Sequence, residues 1–153
     1  MQLSVVILNY NVKYFIDVCI QSVLAATKDL DAEVILVDNA SEDGSVEWIS
    51  QQFPQVKQIN NSENVGFPKG NNIGVAQAKG EFLCILNPDT IVAEDTFTSA
   101  ISFMENNRQV AIMGPKLIDG SGTFLKESKR GVPTPAVAFS KVAGLYKIAP
   151  KLF

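Results

Sequence analysis

Short polar segments follow three of the apolar stretches in this sequence. They are Asn9-Tyr10-Asn11, Asp38-Asn39 and Asn87-Pro88-Asp89. Amide and carboxylate side chains of this kind donate or accept hydrogen bonds, and carboxylates also bind hard cations. The sequence contains no histidine, which excludes Ser-His and Cys-His catalysis and the usual zinc sites. Chemistry in this chain must therefore come from carboxylates, amides, backbone donors or a metal held by oxygens.

Each polar segment has a purely local explanation, because Asn and Asp favour turns and helix N-caps. Asp38, for example, is placed to cap a helix that begins near Ser41. Together the three segments favour a ligand site, since open α/β sheets bind ligands beyond the carboxyl ends of their strands, near the point where strand order reverses. In such a site Asp38 would accept a hydrogen bond from the N–H of a pyrimidine base.

The loop Asn64–Gly74 is the densest polar segment. It lacks the Gly-Lys-Ser/Thr of a P-loop and the Gly-x-Gly-x-x-Gly of a dinucleotide fold. Its glycines permit close backbone approach, and a helix that begins near Gly70 would offer free N–H groups to a phosphate. A tight turn followed by close helix packing at Gly74 explains the spacing equally well.

Strand-sized apolar runs alternate with helical periodicity, which predicts an α/β fold with a mostly parallel central sheet and helices on both faces. Cys19 and Cys84 lie inside apolar patterns and are expected to be buried free thiols. The predicted strands are Ser4–Leu8, Val34–Val37, Val56–Ile59, Phe82–Leu86 and Val110–Met113. The predicted helices carry the faces Phe15/Cys19/Ala26 with Ser22 or Val23, Val46/Ile49/Phe53 and Phe97/Ala100/Ile101/Met104, with a further helix over Asn71–Lys79.

Bulk composition sets limits on function. The chain has 153 residues, of which 46% are hydrophobic, enough for one compact domain. The net charge of −3, with no basic run before Lys126, argues against a nucleic-acid partner. No apolar run is long enough to span a membrane and the start does not resemble a signal peptide, so we expect a cytoplasmic location, peripheral at the inner face of the membrane in the full-length protein.

The ordered set of motifs resembles family 2 glycosyltransferases, and within them the bacterial rhamnosyltransferase-like branch. The resemblance covers residues 3–135 and implies a GT-A fold and inverting transfer of a sugar from a nucleotide diphosphate donor, dTDP-rhamnose or a UDP-sugar. It also implies a cell-surface or lipid-linked glycan as acceptor. The motifs that carry it are Val5–Asn11, Val34–Ser45, Asn64–Phe67, Gly70–Gly74, Leu86–Asp89, Pro115–Gly120, and Arg130 with Pro133.

The resemblance assigns roles to particular residues. Asp38 would contact the base, and the segment from Gly66 to Asn71 would lie near the ribose and base. Asn87-Pro88-Asp89 takes the place of the family's Asp-x-Asp metal motif, so Asp89 is the implied ligand of a divalent Mg²⁺ or Mn²⁺ ion. The implied donor-binding residues are Asn9, Tyr10, Asn11, Asp38, Asn39, Gly66, Phe67, Gly70, Asn71 and Asn87.

The family's general base has no match in this chain. An inverting transfer needs a base to take the proton of the attacking hydroxyl, and after Asp119 the only carboxylate is Glu127. We therefore expect the base beyond Phe153, with residues 1–115 as a nucleotide-sugar-binding core and residues 116–153 as the start of an acceptor-side region cut within a longer protein.

Three functional hypotheses follow. The chain is the donor-binding part of a transferase, or a nucleotide-binding fragment without catalysis. A nucleotidyltransferase is the third, but it would need a glycine-rich loop with a basic residue after the first strand. A homodimer is also expected, through a sheet edge that the rest of the protein would normally cover.

Overall fold

The computed structural model of the protein describes residues 1–115, Ser121 and Thr123. The chain forms two compact units, residues 1–111 and residues 112–153. In the second unit the hydroxyl oxygens of Ser121 and Thr123 lie 2.9 Å apart. The first unit contains β1 Leu3–Asn9, α1 Lys13–Thr27, β2 Ala32–Asp38, α2 Ser45–Gln52, β3 Lys57–Asn60, α3 Phe67–Val75, β4 Phe82–Leu86 and α4 Thr96–Asn106.

The four strands form one parallel sheet in the order β3-β2-β1-β4. The chain moves outward from β1 to β3 and then returns to the other side of β1, so strand order reverses between β1 and β4. In the β1–β2 pairing Asn9 lies opposite Asp38. The polar residues that end these two strands are therefore neighbours at the carboxyl end of the sheet. The predicted α/β fold with a parallel sheet is confirmed.

Helices cover both faces of the sheet. One apolar cluster joins Val5, Ile7 and Leu36 to residues of α1, α2 and α4. A second, smaller cluster on the opposite face joins Val6, Leu8, Ile35 and Val37 to Ile73 of α3. Because β1 and β2 are covered on both sides, their sequences are continuous apolar runs rather than alternating ones.

Helix α3 lies against the sheet through its glycines. A Cβ on Gly74 would lie 2.5 Å from Val6 Cγ1 and 2.9 Å from Val37 Cγ2, and a Cβ on Gly70 would lie 2.5 Å from Leu8 Cδ1. The packing explanation of this loop is therefore the one that the structure supports. The helix begins at Phe67 rather than at Asn71, with Pro68 in its first turn, where proline is well tolerated.

Other local predictions need correction. Residues 110–113 are not a strand, because they form no ladder with any strand of the described chain. Phe15 is 61% exposed, and Ile16 takes the inward position beside Cys19. Strand β3 runs over Lys57–Asn60, one residue later than predicted.

Strand β4 is an edge of the sheet within the described residues. Leu83 and Ile85 on one side of it are 43% and 53% exposed, so a partner surface is available there, and the homodimer stays a prediction. None of the helices in the part of the chain that the structure describes combines the length and the apolar character needed to cross a bilayer.

Candidate functional site

Asn9 is the centre of a buried hydrogen-bond network at the carboxyl edge of the sheet. Its Nδ2 donates to Asp38 Oδ1 at 2.7 Å and to Ser45 Oγ at 2.8 Å, and lies 3.1 Å from Ser41 Oγ. Asp38 is 1% exposed, and its second carboxylate oxygen accepts the backbone N–H of Ser41 at 2.8 Å. The buried carboxylate is thus held by two donors, which offsets the cost of removing a charge from water.

Further hydrogen bonds tie the loop after β1 to the loop after β2. The Asn11 N–H donates to Ser41 Oγ, and Asn11 Oδ1 accepts the N–H of Glu42. Asp43 accepts the N–H of Lys13 at 2.8 Å with one oxygen and the N–H of Ser45 at 3.0 Å with the other. Asp43 therefore holds the first turns of α1 and α2 in one fixed relation.

Two non-glycine residues in these loops adopt left-handed backbone conformations, Asn11 at φ 54° and Ala40 at φ 61°. Asparagine tolerates this region, but alanine pays about 1 kcal/mol or more for it. Such strain persists only when the surrounding structure holds it, and it concentrates at functional sites. Here the hydrogen bonds of Asn39 N–H to Asn9 O and of Ser41 N–H to Asp38 fix Ala40 from both sides.

Asn39 extends the network to the segment after β3. Its Nδ2 donates to Asn64 Oδ1 at 3.1 Å, and its Oδ1 accepts from Asn61 Nδ2 at 2.9 Å. Asn64 Oδ1 also accepts the N–H of Gly66 at 2.9 Å. Asn39 is 2% exposed, so its observed role is to position the loop that leads into α3.

The predicted donor-binding residues of α3 differ in their exposure to solvent. Phe67 is 59% exposed, whereas Asn71 is 5% exposed and its amide donates to Phe67 O. Gly66 has φ +82°, which favours glycine. The interpretation of Gly70 as the start of a helix with free N–H groups is wrong, because its N–H donates to Gly66 O and its Cα faces Leu8.

Two buried oxygens of the site have no hydrogen-bond donor within the described residues. They are Asn9 Oδ1 and Asn71 Oδ1. Tyr10, which follows β1, is 48% exposed, so an aromatic surface faces solvent at this end of the sheet. The two amide oxygens are buried, so of these groups only the Tyr10 ring is exposed to solvent.

The segment Asn87–Asp89 follows β4 and is held from α1. The Cys19 thiol donates to Asn87 O at 3.6 Å, and Ser22 Oγ accepts the N–H of Val92 at 3.2 Å. Asp89 is exposed, and its carboxylate makes no hydrogen bond or ion pair within residues 1–115. The carboxylate is therefore available to a ligand.

A divalent metal fits Asp89 only together with its substrate. No group of three His, Cys, Asp or Glu side chains able to hold a metal occurs in the described residues. Mg²⁺ typically uses one or two carboxylates plus substrate phosphates and water. Asp89 supplies one free carboxylate at the carboxyl end of the sheet, near the point where strand order reverses. It meets that requirement if a diphosphate supplies the other metal ligands.

Burial raises the pKa of the Cys19 thiol to about 11, and the nearby Asp89 charge acts in the same direction. The pKa of Cys84 is also raised by burial. Because the folded pKa of Cys19 lies above its ordinary value of 9.0, the protonated thiol contributes stability below pH 9, and that contribution is lost as the pH rises through 11.

This shift predicts an inert Cys19. At pH 8 we expect iodoacetamide to alkylate Cys19 at least about 100-fold more slowly in the folded protein than in urea, because the thiolate is the nucleophile. Peptide mass spectrometry over a time course measures both rates. Equal rates in the two states would contradict the buried position of the thiol.

Sequence reasoning missed four positioning residues. Ser41 was considered only as a capping or loop residue, and Ser45, Asn61 and Asn64 received no role of their own. The detectable signal was the density of asparagines at the end of β3 and just after it, at positions 60, 61 and 64. Glu127 lies outside the described residues, as does the rest of the predicted acceptor-side region apart from Ser121 and Thr123.

The profile of glycosyl transferase family 2 matches residues 4–148. The chain belongs to glycosyl transferase family 2. Its sheet and helices are those of the GT-A fold, as in TarS of Staphylococcus aureus, whose crystal structure in complex with UDP-GlcNAc superimposes with a TM-score of 0.63 at 26% identity. That match covers 71% of this chain and 32% of the TarS chain.

Other family members show the same partial coverage. Bacillus subtilis GgaB, a minor teichoic acid biosynthesis protein, is 31% identical over 111 residues, 69% of this chain and 12% of GgaB. An uncharacterised glycosyltransferase of Haemophilus influenzae is 28% identical over 117 residues, 74% of this chain and 36% of that protein. A mannosyltransferase of Pyrobaculum calidifontis shares the fold, with a TM-score of 0.61 at 24% identity over 67% of this chain and 32% of that one. This family 2 chain thus spans about a third or less of these relatives.

Proposed function

We propose that the chain is the donor-binding part of a glycosyltransferase that transfers a sugar from a UDP-sugar to a cell-surface glycan. The observation that carries this proposal is the meeting of the β1, β2 and β4 ends at the point of strand reversal, with the first two locked by Asn9 and Asp38. The TarS complex with UDP-GlcNAc supports a uridine donor. dTDP-rhamnose, which the sequence resemblance suggested, is the alternative donor.

The buried network gives the proposed donor site its rigidity. A base placed over the ends of β1 and β2 would meet Tyr10, which is half exposed. Asp38 is fully engaged in the network, so we propose that it acts first by fixing Asn9 and the loop at Ser41. A direct contact between Asp38 and the base stays a prediction.

The diphosphate would lie toward the end of β4, where Asp89 holds a free carboxylate. A divalent ion bound there with the diphosphate supplies charge stabilisation to the leaving group. The chain's own contribution is to hold Asn87 and Asp89 in place through the Cys19 thiol. We propose an inverting transfer on the cytoplasmic side of the membrane, with the general base beyond Phe153.

The donor proposal predicts a metal-dependent thermal shift. UDP at about a hundred times its dissociation constant adds ~2.7 kcal/mol, or roughly 5–10 °C in melting temperature. We expect Mn²⁺ to increase this shift in the wild type and Asp89→Asn to remove only the increase due to the metal. Differential scanning fluorimetry with UDP, dTDP and GDP, each with Mn²⁺ or EDTA, measures it.

The exposed Glu105→Gln on α4 is the matched control and should behave as the wild type. An undiminished Mn²⁺ increment in Asp89→Asn would remove Asp89 as the metal ligand. No shift with any nucleotide, in a chain that continues past Phe153, would remove the donor proposal. A shift without any sugar transfer in that longer chain would favour the non-catalytic nucleotide-binding alternative.

A further inference from the structure

A cleft of about 240 Å³ lies on the outer side of α1 and α2, lined by Lys13, Tyr14, Asp17 and Trp48. A second cavity of about 270 Å³ shares Lys13 and Tyr14 with it and continues to Phe15, Asp43 and the predicted donor residue Asn11. None of the four residues of the first cleft belongs to the proposed donor site. The cleft therefore needs an explanation of its own.

The tryptophan of this cleft is fixed before any ligand arrives. Trp48 Nε1 donates to Asp17 Oδ1 at 3.0 Å, and Gln21 Nε2 donates to Asp17 Oδ2 at 2.9 Å. Lys13 Nζ lies 5.4 Å from the centre of the indole ring, within the range of a cation–π contact. A side chain immobilised in this way loses little entropy when a ligand binds.

Large aromatic side chains at this cleft and its continuation remain in solvent. Tyr14 is 88% exposed, Phe15 61% and Trp48 37%. Clustered exposed apolar groups with a polar rim mark an interaction site. The charges select its partner, because two carboxylates, Asp17 and Asp43, face the single cation Lys13, an excess of negative charge that repels phosphates, anionic lipids and nucleic acids.

We propose that this cleft binds a pyranose unit of an uncharged glycan, at a site separate from the nucleotide. The C–H faces of a pyranose pack on aromatic rings such as Tyr14 and Trp48, and its hydroxyls donate to the Asp17 carboxylate and accept from the Lys13 ammonium. Only the identity of the glycan rests on the proposed function, since a transferase would use this site to retain its acceptor or product.

Trp48 provides the measurement, because it is the only tryptophan in the sequence. Its indole N–H resonance and its fluorescence are followed during titration with methyl β-glucoside and with N-acetylglucosamine, without nucleotide. We expect saturable changes in the wild type and an affinity about ten-fold weaker in Tyr14→Ala, because an aromatic stacking surface is removed. Phe103→Ala, which removes an exposed aromatic from α4, is the matched control and should leave the affinity unchanged.

A non-saturating response that glycerol reproduces, or equal affinities in the wild type and Tyr14→Ala, would overturn the proposal. Tyr14-dependent binding to phosphatidylglycerol vesicles without a saccharide response would assign the surface to a membrane instead. We expect UDP to raise the melting temperature of Tyr14→Ala as much as that of the wild type. This measurement therefore separates the donor site from the glycan cleft. In the chain that continues past Phe153, a saccharide response without a UDP shift removes the donor function and leaves the glycan cleft, and the reverse result removes the cleft alone.

Discussion

Asn9→Ala is expected to lower the free energy of unfolding by about 3 kcal/mol. Asn9 is completely buried, and its amide is the donor to one oxygen of the Asp38 carboxylate. Truncation leaves a buried charge without that partner and also removes the contact with Ser45. Urea unfolding followed by circular dichroism measures the loss.

Asn72→Ala is the matched control, because Asn72 is an exposed asparagine on α3, and its effect should stay within about 0.5 kcal/mol. Asn9→Asp adds a second test, since it places two carboxylates within hydrogen-bond distance. Their repulsion in the buried site destabilises the folded state, so this variant should be at least as unstable as Asn9→Ala at neutral pH. An Asn9→Ala variant as stable as Asn72→Ala would show that the network does not hold the strand ends.

Gly80→Ala is expected to destabilise the fold by about 3 kcal/mol, at the upper end of the usual cost of overpacking. A Cβ at Gly80 would meet the backbone N of Ser4 and would lie 2.5 Å from the carbonyl carbon of Leu3 and 2.8 Å from Phe82 O. These are backbone atoms of β1 and β4, which cannot move without disturbing the sheet. The Gly80 N–H also donates to the buried Ser4 Oγ at 2.8 Å.

Two other glycines calibrate this prediction. A Cβ at Gly74 would meet side-chain atoms of Val6 and Val37, which can shift slightly, so Gly74→Ala should cost less, about 1–2 kcal/mol. A Cβ at Gly114 would have nothing within 4 Å, so Gly114→Ala should be close to neutral. Thermal unfolding measures the order of the melting temperatures of the three variants. A Gly80→Ala melting temperature equal to that of Gly114→Ala would contradict the close approach of β1 to Gly80.

The loop at Gly66–Gly74 shows where pattern reading failed. The sequence left phosphate binding and helix packing equally supported, because both uses require glycine. The structure shows that α3 begins four residues earlier than predicted and uses Gly70 and Gly74 to approach β1 and β2. Pro68 was the overlooked signal, since proline fits the first turn of a helix.

Two further predictions, a strand at residues 110–113 and an inward Phe15, were wrong for other reasons. Residues 110–113 have the composition of a strand, but a strand also needs a neighbour with which to form hydrogen bonds, and composition does not supply one. Phe15 likewise fits the helical spacing of α1, yet Ile16 occupies the inward position and Phe15 faces solvent. Periodicity gives a helix and its phase only to within about one residue when apolar side chains are adjacent.

The sequence by itself determined the parallel α/β architecture and the residue types at the strand ends, because buried strands need continuous apolar runs and the polar residues that end them are adjacent in the chain. Only the tertiary structure decided what those polar residues do. Asn9 and Asp38 are 29 positions apart and Asn9 and Ser45 are 36 apart, so their contact depends on the β1–β2 register. The predicted capping role of Asp38 is wrong, because α2 begins at Ser45 and has no side-chain cap, and a contact between Asp38 and a base stays a prediction. One carboxylate oxygen of Asp38 holds the turn at Ser41 and the other holds Asn9. That combination follows from the spacing of paired strands, which no stretch of sequence encodes alone.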